Sequence, residues 1–152
     1  MSHPFVADSS IGIGWVHPSQ GTELTKRLLE EAKNGAPVHV PALWHLEISN
    51  ALLVVVRRKL MTETQRQIGL TLLSQLRVII DDETNRLAFS TISELAVKYS
   101  LSTYDAAYLE LARRKSMPLG TRDEPLRAAA LKSGVKLLRS CTPGFQPPGA
   151  RL

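Results

Sequence analysis

Short apolar segments that alternate with longer amphipathic stretches constrain the fold of this chain most strongly. The apolar segments lie at 5–7, 38–40, 78–80 and 118–120, and each is followed by a polar residue or a proline. The stretches between them carry apolar residues at three- and four-residue steps, the spacing of one helix face. Strands that alternate with helices form parallel sheets covered by helices. The sequence therefore predicts an α/β fold, a three-layer α/β/α sandwich with a central parallel sheet.

The helices are predicted from capping residues and from this spacing. Ser9 or Ser10 is expected to cap the first helix. The β-branched tract at 52–56 is compatible with a strand, but the spacing of Glu47, Asn50 and Val54 favours a helix. The predicted helices cover 9–17, 22–33, 42–60, 62–76, 81–99, 103–112 and 123–132, and a last strand covers 135–138.

Length and composition fit one folded unit with a short tail. The chain has 152 residues, of which 43% are hydrophobic and 22% charged, as in an ordinary globular domain. We predict a domain over 1–140 and an irregular, Pro/Gly-rich tail over 141–152. The single Cys141 excludes an internal disulfide and favours a reducing compartment. No signal peptide or membrane-spanning run is recognisable, so we expect a cytoplasmic location and no membrane partner.

Four acidic residues are placed where a parallel sheet would bring them to one edge. Asp8 and Asp123 follow predicted strands, and Glu47 and Asp105 lie near the starts of predicted helices. Ligands bind at the carboxyl ends of the strands in open α/β sheets. Clustered carboxylates repel one another unless protons or cations neutralise them, and oxygen ligands select hard cations such as Mg²⁺ or Mn²⁺. This arrangement indicates a metal-assisted phosphodiester hydrolase with one or two ions.

A simpler reading of the same acids also fits the sequence. Asp8, Asp105 and Asp123 each precede or open a helix, where aspartate caps the backbone or stabilises the dipole. Glu47 taken alone is typical of a solvated helix acid. The spacing of the four residues does not decide between these readings.

Four sequence blocks carry a resemblance to a known family. They lie at 5–10, 40–52, 101–112 and 118–126, and the block at 101–112, LSTYDAAYLELA, is the most specific. In this order the blocks resemble PIN-domain ribonucleases of the VapC type, the toxin half of VapBC toxin–antitoxin modules. The match extends from about residue 5 to residue 138. One mild departure is Gly120, at a position where alanine is common in the family.

The resemblance implies a function, a cofactor and partners. It implies a Mg²⁺- or Mn²⁺-dependent endoribonuclease, the toxin component of a type II toxin–antitoxin system. An RNA substrate, a cognate antitoxin protein and a homodimer are then expected. The implied catalytic residues, which are also the implied metal ligands, are Asp8, Glu47, Asp105 and Asp123. The implied supporting residues, whose hydrogen bonds would orient the carboxylates, are Ser10, Asn50, Thr103 and Thr121.

Basic residues supply candidates for contacts with the RNA backbone. The formal net charge of +5 favours a polyanionic partner. Arg57, Arg113 and Arg122 are the candidates, since backbone binding tolerates diffuse placement. The basic clusters that contain Arg57 and Arg113 also lie where predicted helices end, so they have an alternative role against the helix dipole.

Other readings of the sequence are weaker. The acidic run at 81–83 is explained by helix capping. Trp15 and Trp44 are interpreted as packing or dimer-contact residues. A phosphorylatable receiver domain would need an acidic pair after the first strand, where Ser9 and Ser10 stand. The main alternative function is a non-catalytic PIN-like module that binds RNA or protein, which would have no need of four clustered acids.

Overall fold

Four short parallel strands form the centre of the fold. The computed structural model describes residues 2–140. The strands β1 (Phe5–Ala7), β2 (Val38–Val40), β3 (Val78–Ile80) and β4 (Leu119–Gly120) lie in the order β3-β2-β1-β4. Phe5 pairs with Val38 on one side of β1, and all the pairings are parallel. The predicted parallel sheet is confirmed, and its carboxyl ends share one edge.

Eight helices connect and cover the strands in the described residues. They are α1 (Ser9–Val16), α2 (Glu23–Lys33), α3 (Trp44–Arg57), α4 (Glu63–Gln75), α5 (Thr84–Leu87), α6 (Thr91–Tyr99), α7 (Thr103–Lys115) and α8 (Glu124–Ser133), with a 3₁₀ turn at Pro18–Gln20. Thr22 and Thr62 cap α2 and α4 through reciprocal hydrogen bonds with the residue three positions on. The α/β/α architecture predicted from the sequence is confirmed.

Dense packing of the helices on the sheet explains why strands of only two or three residues can hold the fold together. All three residues of β1 are at most 1% exposed, and they pack with the buried side chains of α1, α3 and α7. A second, smaller cluster joins Ile92 and Leu95 of α6 to Ala106 and Ala107 of α7. The alanines allow the two helices to approach closely. Helix α7 thus contacts both β1 and α6 and holds the N-terminal turn with Asp105 at the strand ends.

Several predicted boundaries are wrong. The predicted helix over 81–99 is two helices, because Ser90 takes non-helical dihedral angles (φ −122°, ψ −104°) that let α6 pack on α7. Helix α3 ends at Arg57 rather than at residue 60, since Lys59 has a left-handed φ of 60°. The predicted strand over 135–138 is reduced to one bridge between Leu137 and Leu119, because β4 offers only two residues for pairing.

The cap of α1 was also predicted at the wrong residue. Asp8, rather than Ser9 or Ser10, is the N-cap, and its Oδ1 accepts the amide of Ile11 at 3.2 Å. The predicted tail over 141–152, including Cys141, lies outside the described residues. Among residues 2–140 no helix has the length and apolar character needed to cross a membrane.

Candidate active site

The N-terminal ends of four helices bring the four predicted acids to the carboxyl edge of the sheet. Asp8 and Asp123 are the N-caps of α1 and α8, and each accepts a backbone amide from the first turn of its helix. Glu47 and Asp105 lie in the first turns of α3 and α7, where Ser102 is the cap of α7. Both earlier readings therefore hold in part, since two acids are caps and all four lie near positive helix ends.

Asp8 is the most deeply buried of the four. Its side chain is 3% exposed, and it accepts the Ser10 hydroxyl on Oδ1 at 2.5 Å. The Thr121 hydroxyl donates to Oδ2 from the far side. Burial is the main cause that raises the pKa of Asp8 to about 6; the charge of Asp105 adds to this rise, and the hydrogen bonds oppose it. Asp8 is thus a desolvated carboxylate held in place by neutral donors.

Asp105 is the electrostatic centre of the group. Burial raises the pKa of Asp105, and the neighbouring charge of Asp123 adds to that rise. Burial also raises the pKa of Glu47, and there Asp105 supplies the added repulsion. The structure therefore places Asp105 within electrostatic reach of the other three acids.

Tyr108 is a site residue that the sequence reasoning did not identify. Its hydroxyl donates to Oε1 of Glu47 at 2.5 Å, across 61 residues of sequence. Burial, together with the adjacent carboxylate of Glu47, raises the pKa of Tyr108 well above its ordinary value, so the phenol stays a donor. The available signal was its position one turn after Asp105, on the same face of α7.

Trp44 supports the other end of the site. Its indole Nε1 donates to the backbone carbonyl of Asp8 at 3.2 Å. Trp44 is 1% exposed and packs in the core, which agrees with the packing role considered from the sequence. This bond joins α3, which carries Glu47, to the end of β1.

The four predicted supporting residues fall into two pairs. Ser10 and Thr121 contact Asp8 directly and are themselves connected to the loop before α8. The amide of Arg122 donates to the Ser10 hydroxyl at 2.9 Å, and the amide of Asp123 donates to Thr121 at 3.0 Å. Asn50 and Thr103 are exposed, and neither forms a side-chain hydrogen bond within residues 2–140. Of the four predicted supporting residues, Ser10 and Thr121 are therefore the two that hydrogen-bond a carboxylate of the site within residues 2–140.

Comparison with known proteins decides the family. A family model described as the PIN domain matches residues 5–132. The chain belongs to the PIN domain family. Among solved structures, PAE2754 from Pyrobaculum aerophilum has a TM-score of 0.63 and 21% identity, over 85% of this chain and 87% of its own. FitAcB from Neisseria gonorrhoeae has a TM-score of 0.58 and 16% identity, over 90% and 97%. A search of curated proteins gave no match.

The family match confirms the PIN domain family that the four sequence blocks indicate. At these identities the two structures show the shared fold alone. PIN domains are generally nucleases and typically use divalent metals, which assigns this PIN domain to the hydrolases at a coarse level.

The carboxylates of the site are of the chemical type that binds a divalent cation. No salt bridge in the described part of this PIN domain involves Asp8, Glu47, Asp105 or Asp123. Carboxylate oxygens are the ligands that Mg²⁺ and Mn²⁺ prefer. Within residues 2–140 no three His, Cys, Asp or Glu side chains are grouped to hold one ion. Mg²⁺ commonly takes only one or two carboxylates and leaves its other positions to water and substrate phosphates.

The basic candidates differ in their distance from the acids. Arg122 directly precedes Asp123 and hydrogen-bonds Gln20 at 3.1 Å. Arg57 lies ten residues after Glu47 on α3, about 15 Å along the axis, and Arg113 lies about 12 Å along α7 from Asp105. Of the three, Arg122 is the one whose sequence position places it beside the acidic edge.

The remaining acids play other roles. Asp81 is 8% exposed and pairs with Arg114 rather than serving only as a helix cap. Glu110 is also buried and pairs with the same arginine. Glu124 has an 87% exposed side chain, as expected for a solvated residue.

Proposed function

We propose that this PIN domain is a Mg²⁺- or Mn²⁺-dependent endoribonuclease and the toxin component of a type II toxin–antitoxin system. The observation that carries the proposal is the acidic edge, defined as Asp8, Glu47, Asp105 and Asp123. Burial and neighbouring acidic charges raise the pKa values of Asp8, Glu47 and Asp105 in a member of a nuclease family. No arginine or lysine of the described chain pairs with any of the four acids. Such an edge favours a divalent cation bound together with a phosphodiester.

The side chains at the acidic edge would have two roles, to hold a cation and to orient the carboxylates that hold it. One or two carboxylates of the group Asp8, Glu47, Asp105 and Asp123 would bind the cation directly, and the others would add negative charge around it. The bound cation would supply a Lewis acid for the attack of water on a phosphodiester. Ser10 and Thr121 fix the carboxylate plane of Asp8, and Tyr108 fixes one oxygen of Glu47. These neutral donors orient the carboxylates without cancelling the charge that the cation needs. No covalent enzyme intermediate is required.

The partner assignments belong to the same proposal. An antitoxin protein and a second copy of the chain are expected for VapC-type proteins. Exposed Leu60 and Ile68 border an apolar cavity of about 550 Å³ between α1 and α4, which supports a protein-contact surface on this side. Sedimentation of the purified chain, alone and after co-expression with a candidate antitoxin, tests both partners.

The deciding experiment is RNA cleavage by antitoxin-free protein in Mg²⁺ or Mn²⁺. We expect discrete RNA fragments that disappear with EDTA. Asp105→Asn should reduce the cleavage rate by at least about 100-fold, about 2.7 kcal/mol of transition-state stabilisation, because Asp105 couples the other three acids. Circular dichroism should show an unchanged fold, since this substitution keeps the side-chain shape.

Asp82→Asn is the matched control. Asp82 is exposed and lies after β3 at the same edge of the sheet, outside the acidic group. The control should cleave at the wild-type rate. Equal activity of the wild type and Asp105→Asn in a clean preparation would contradict the nuclease assignment and favour a non-catalytic RNA- or protein-binding module.

A further inference from the structure

A groove lined by arginines adjoins the acidic edge on the side of α2 and α8. We call it the arginine groove and define it by Arg122, Arg127, Arg139, Thr22, Thr121 and Glu124. Its volume is about 540 Å³. It contains three guanidinium groups and one carboxylate, which gives it a net positive charge in direct continuity with a cluster of four acids.

Neutral acceptors hold two of these arginines, so their charges remain available. Arg122 hydrogen-bonds the amide oxygen of Gln20 at 3.1 Å. Arg127 reaches the backbone carbonyl of Thr121 at 3.4 Å. The pair formed by Arg127 and Glu124 is long, at 3.7 Å, and Glu124 is highly exposed, so this contact neutralises little. Among the salt bridges of residues 2–140, none involves Arg122 or Arg139.

Two hydrogen-bonded connections join the groove to the acidic edge. Thr121 lines the groove and donates its hydroxyl to Asp8. Arg122 lines the groove through its side chain, and its amide donates to Ser10, which in turn donates to Asp8. Arg127 lies one helical turn, about 6 Å, beyond the Asp123 cap on α8. The spacing suits successive charges along one polyanion.

We propose that the arginine groove binds phosphates of the RNA backbone next to the phosphodiester at the acidic edge. This inference rests on the proposed nuclease function and gives the substrate a direction across the protein, from the acidic edge toward α2 and α8. Guanidinium groups recognise phosphates by paired hydrogen bonds. Arg57 and Arg113, by contrast, lie at the far ends of α3 and α7 and contribute at most a diffuse attraction.

The test measures RNA binding separately from cleavage. Fluorescence anisotropy follows a labelled RNA oligonucleotide of mixed sequence binding to the Asp105→Asn chain in Mg²⁺. In this background, Arg127→Gln combined with Arg139→Gln should weaken binding by about tenfold. The slope of log affinity against log salt should also fall by about 1.4, for two lost contacts to a single strand. Melting temperatures of all variants exclude loss of folding as the cause.

The matched control removes two charges elsewhere. Arg57→Gln combined with Arg58→Gln changes the net charge by the same amount at the exposed end of α3. It should alter affinity and salt slope much less than the groove pair. Equal effects of both pairs would overturn the proposal in favour of diffuse attraction. Unchanged RNA affinity in the groove variant, with lost binding of a polyglutamate peptide, would assign the groove to an acidic protein segment instead.

Cleavage by the wild-type chain separates the two proposals. If the groove pair weakens RNA binding but the wild type does not cleave, the nuclease assignment fails and the groove stands. If the wild type cleaves and the groove pair leaves RNA affinity unchanged, the groove fails and the nuclease stands.

Discussion

Asp8 and Asp81 occupy equivalent positions at strand ends, but Asp81 is paired with an arginine and Asp8 is not. Each directly follows a parallel strand, and each is buried, at 3% and 8% exposed. Asp81 accepts two hydrogen bonds from the guanidinium of Arg114, at 3.1 and 2.7 Å, and Glu110 shares the same arginine at 2.8 Å. Asp8 is surrounded by hydroxyls, an amide and other acids. Position at the strand end therefore does not by itself make an aspartate functional.

The difference shows which buried acids lack a cationic partner in the described residues. The buried ion cluster, defined as Asp81, Glu110 and Arg114, contains its own cation and needs nothing from solution. The acidic edge has hydrogen-bond donors that fix geometry but no cationic partner in the described residues, so a proton or an external cation must offset the repulsion.

Removing the internal cation should have the largest effect. Arg114→Ala leaves Asp81 and Glu110 buried without their shared partner. We expect the free energy of unfolding to fall by about 3 kcal/mol, since a buried charge without its partner is costly. Urea unfolding measures this. Arg113→Ala, at the adjacent exposed position, should change stability by less than about 0.5 kcal/mol. Equal effects would mean that the ion cluster has no structural role.

Removing a carboxylate from the acidic edge should instead increase the free energy of unfolding of the metal-free protein. Folding raises the pKa of Asp8 from 3.8 to about 6, so the native state binds more protons between these values. Stability in EDTA should therefore fall as the pH rises through this window. Asp8→Asn keeps an N-cap and removes the charge, and we expect it to stabilise the metal-free protein by about 2 kcal/mol at pH 7.5.

Urea unfolding in EDTA at several pH values between 4 and 7.5 measures the effect of Asp8→Asn. The variant should lose the part of the pH dependence that Asp8 contributes, whereas Asp82→Asn, at an exposed position, should retain it. A variant that is destabilised at pH 7.5 would show that Asp8 is compensated within the fold, and the contrast with Asp81 would collapse.

The same contrast marks what the sequence could and could not predict. Strands and acids were found because apolar periodicity and turn residues are local, and parallel topology then fixes a shared edge. The pair formed by Asp81 and Arg114 spans 33 residues and depends on how α7 packs beside β3. The bond between Tyr108 and Glu47 likewise requires two helices to be placed. Such contacts are properties of the assembled fold.

Surface exposure was equally invisible in the sequence. Asn50 and Thr103 match the motif but lie exposed, while Ser10 and Thr121 reach Asp8. The break between α5 and α6 was missed because the local pattern is continuous and the fit of α6 on α7 decides it. Motif position therefore predicted which residues are near the site better than it predicted their contacts.

An external cation should stabilise the protein through the acidic edge and not through the buried ion cluster. At ten times its dissociation constant, Mg²⁺ should raise the free energy of unfolding of the wild type by about 1.4 kcal/mol. Arg114→Ala should keep this increment, because the ion cluster lies outside the proposed metal site. Asp8→Asn should lose most of it. Thermal unfolding over a Mg²⁺ titration measures both, and an increment that depends on Arg114 instead would reverse the assignment of the two regions.

The smallest expected effect comes from the phenol of Tyr108. Tyr108→Phe removes the donor to Glu47 and should cost about 1 kcal/mol of stability. Because this hydrogen bond lowers the pKa of Glu47, its loss should raise that pKa further. The acidic limb of the pH profile of RNA cleavage should then move to higher pH. Tyr104→Phe, at an exposed neighbouring position, should move neither quantity. A stability loss with an unshifted cleavage profile would limit Tyr108 to packing, and the acidic edge would then owe the orientation of Glu47 to other contacts.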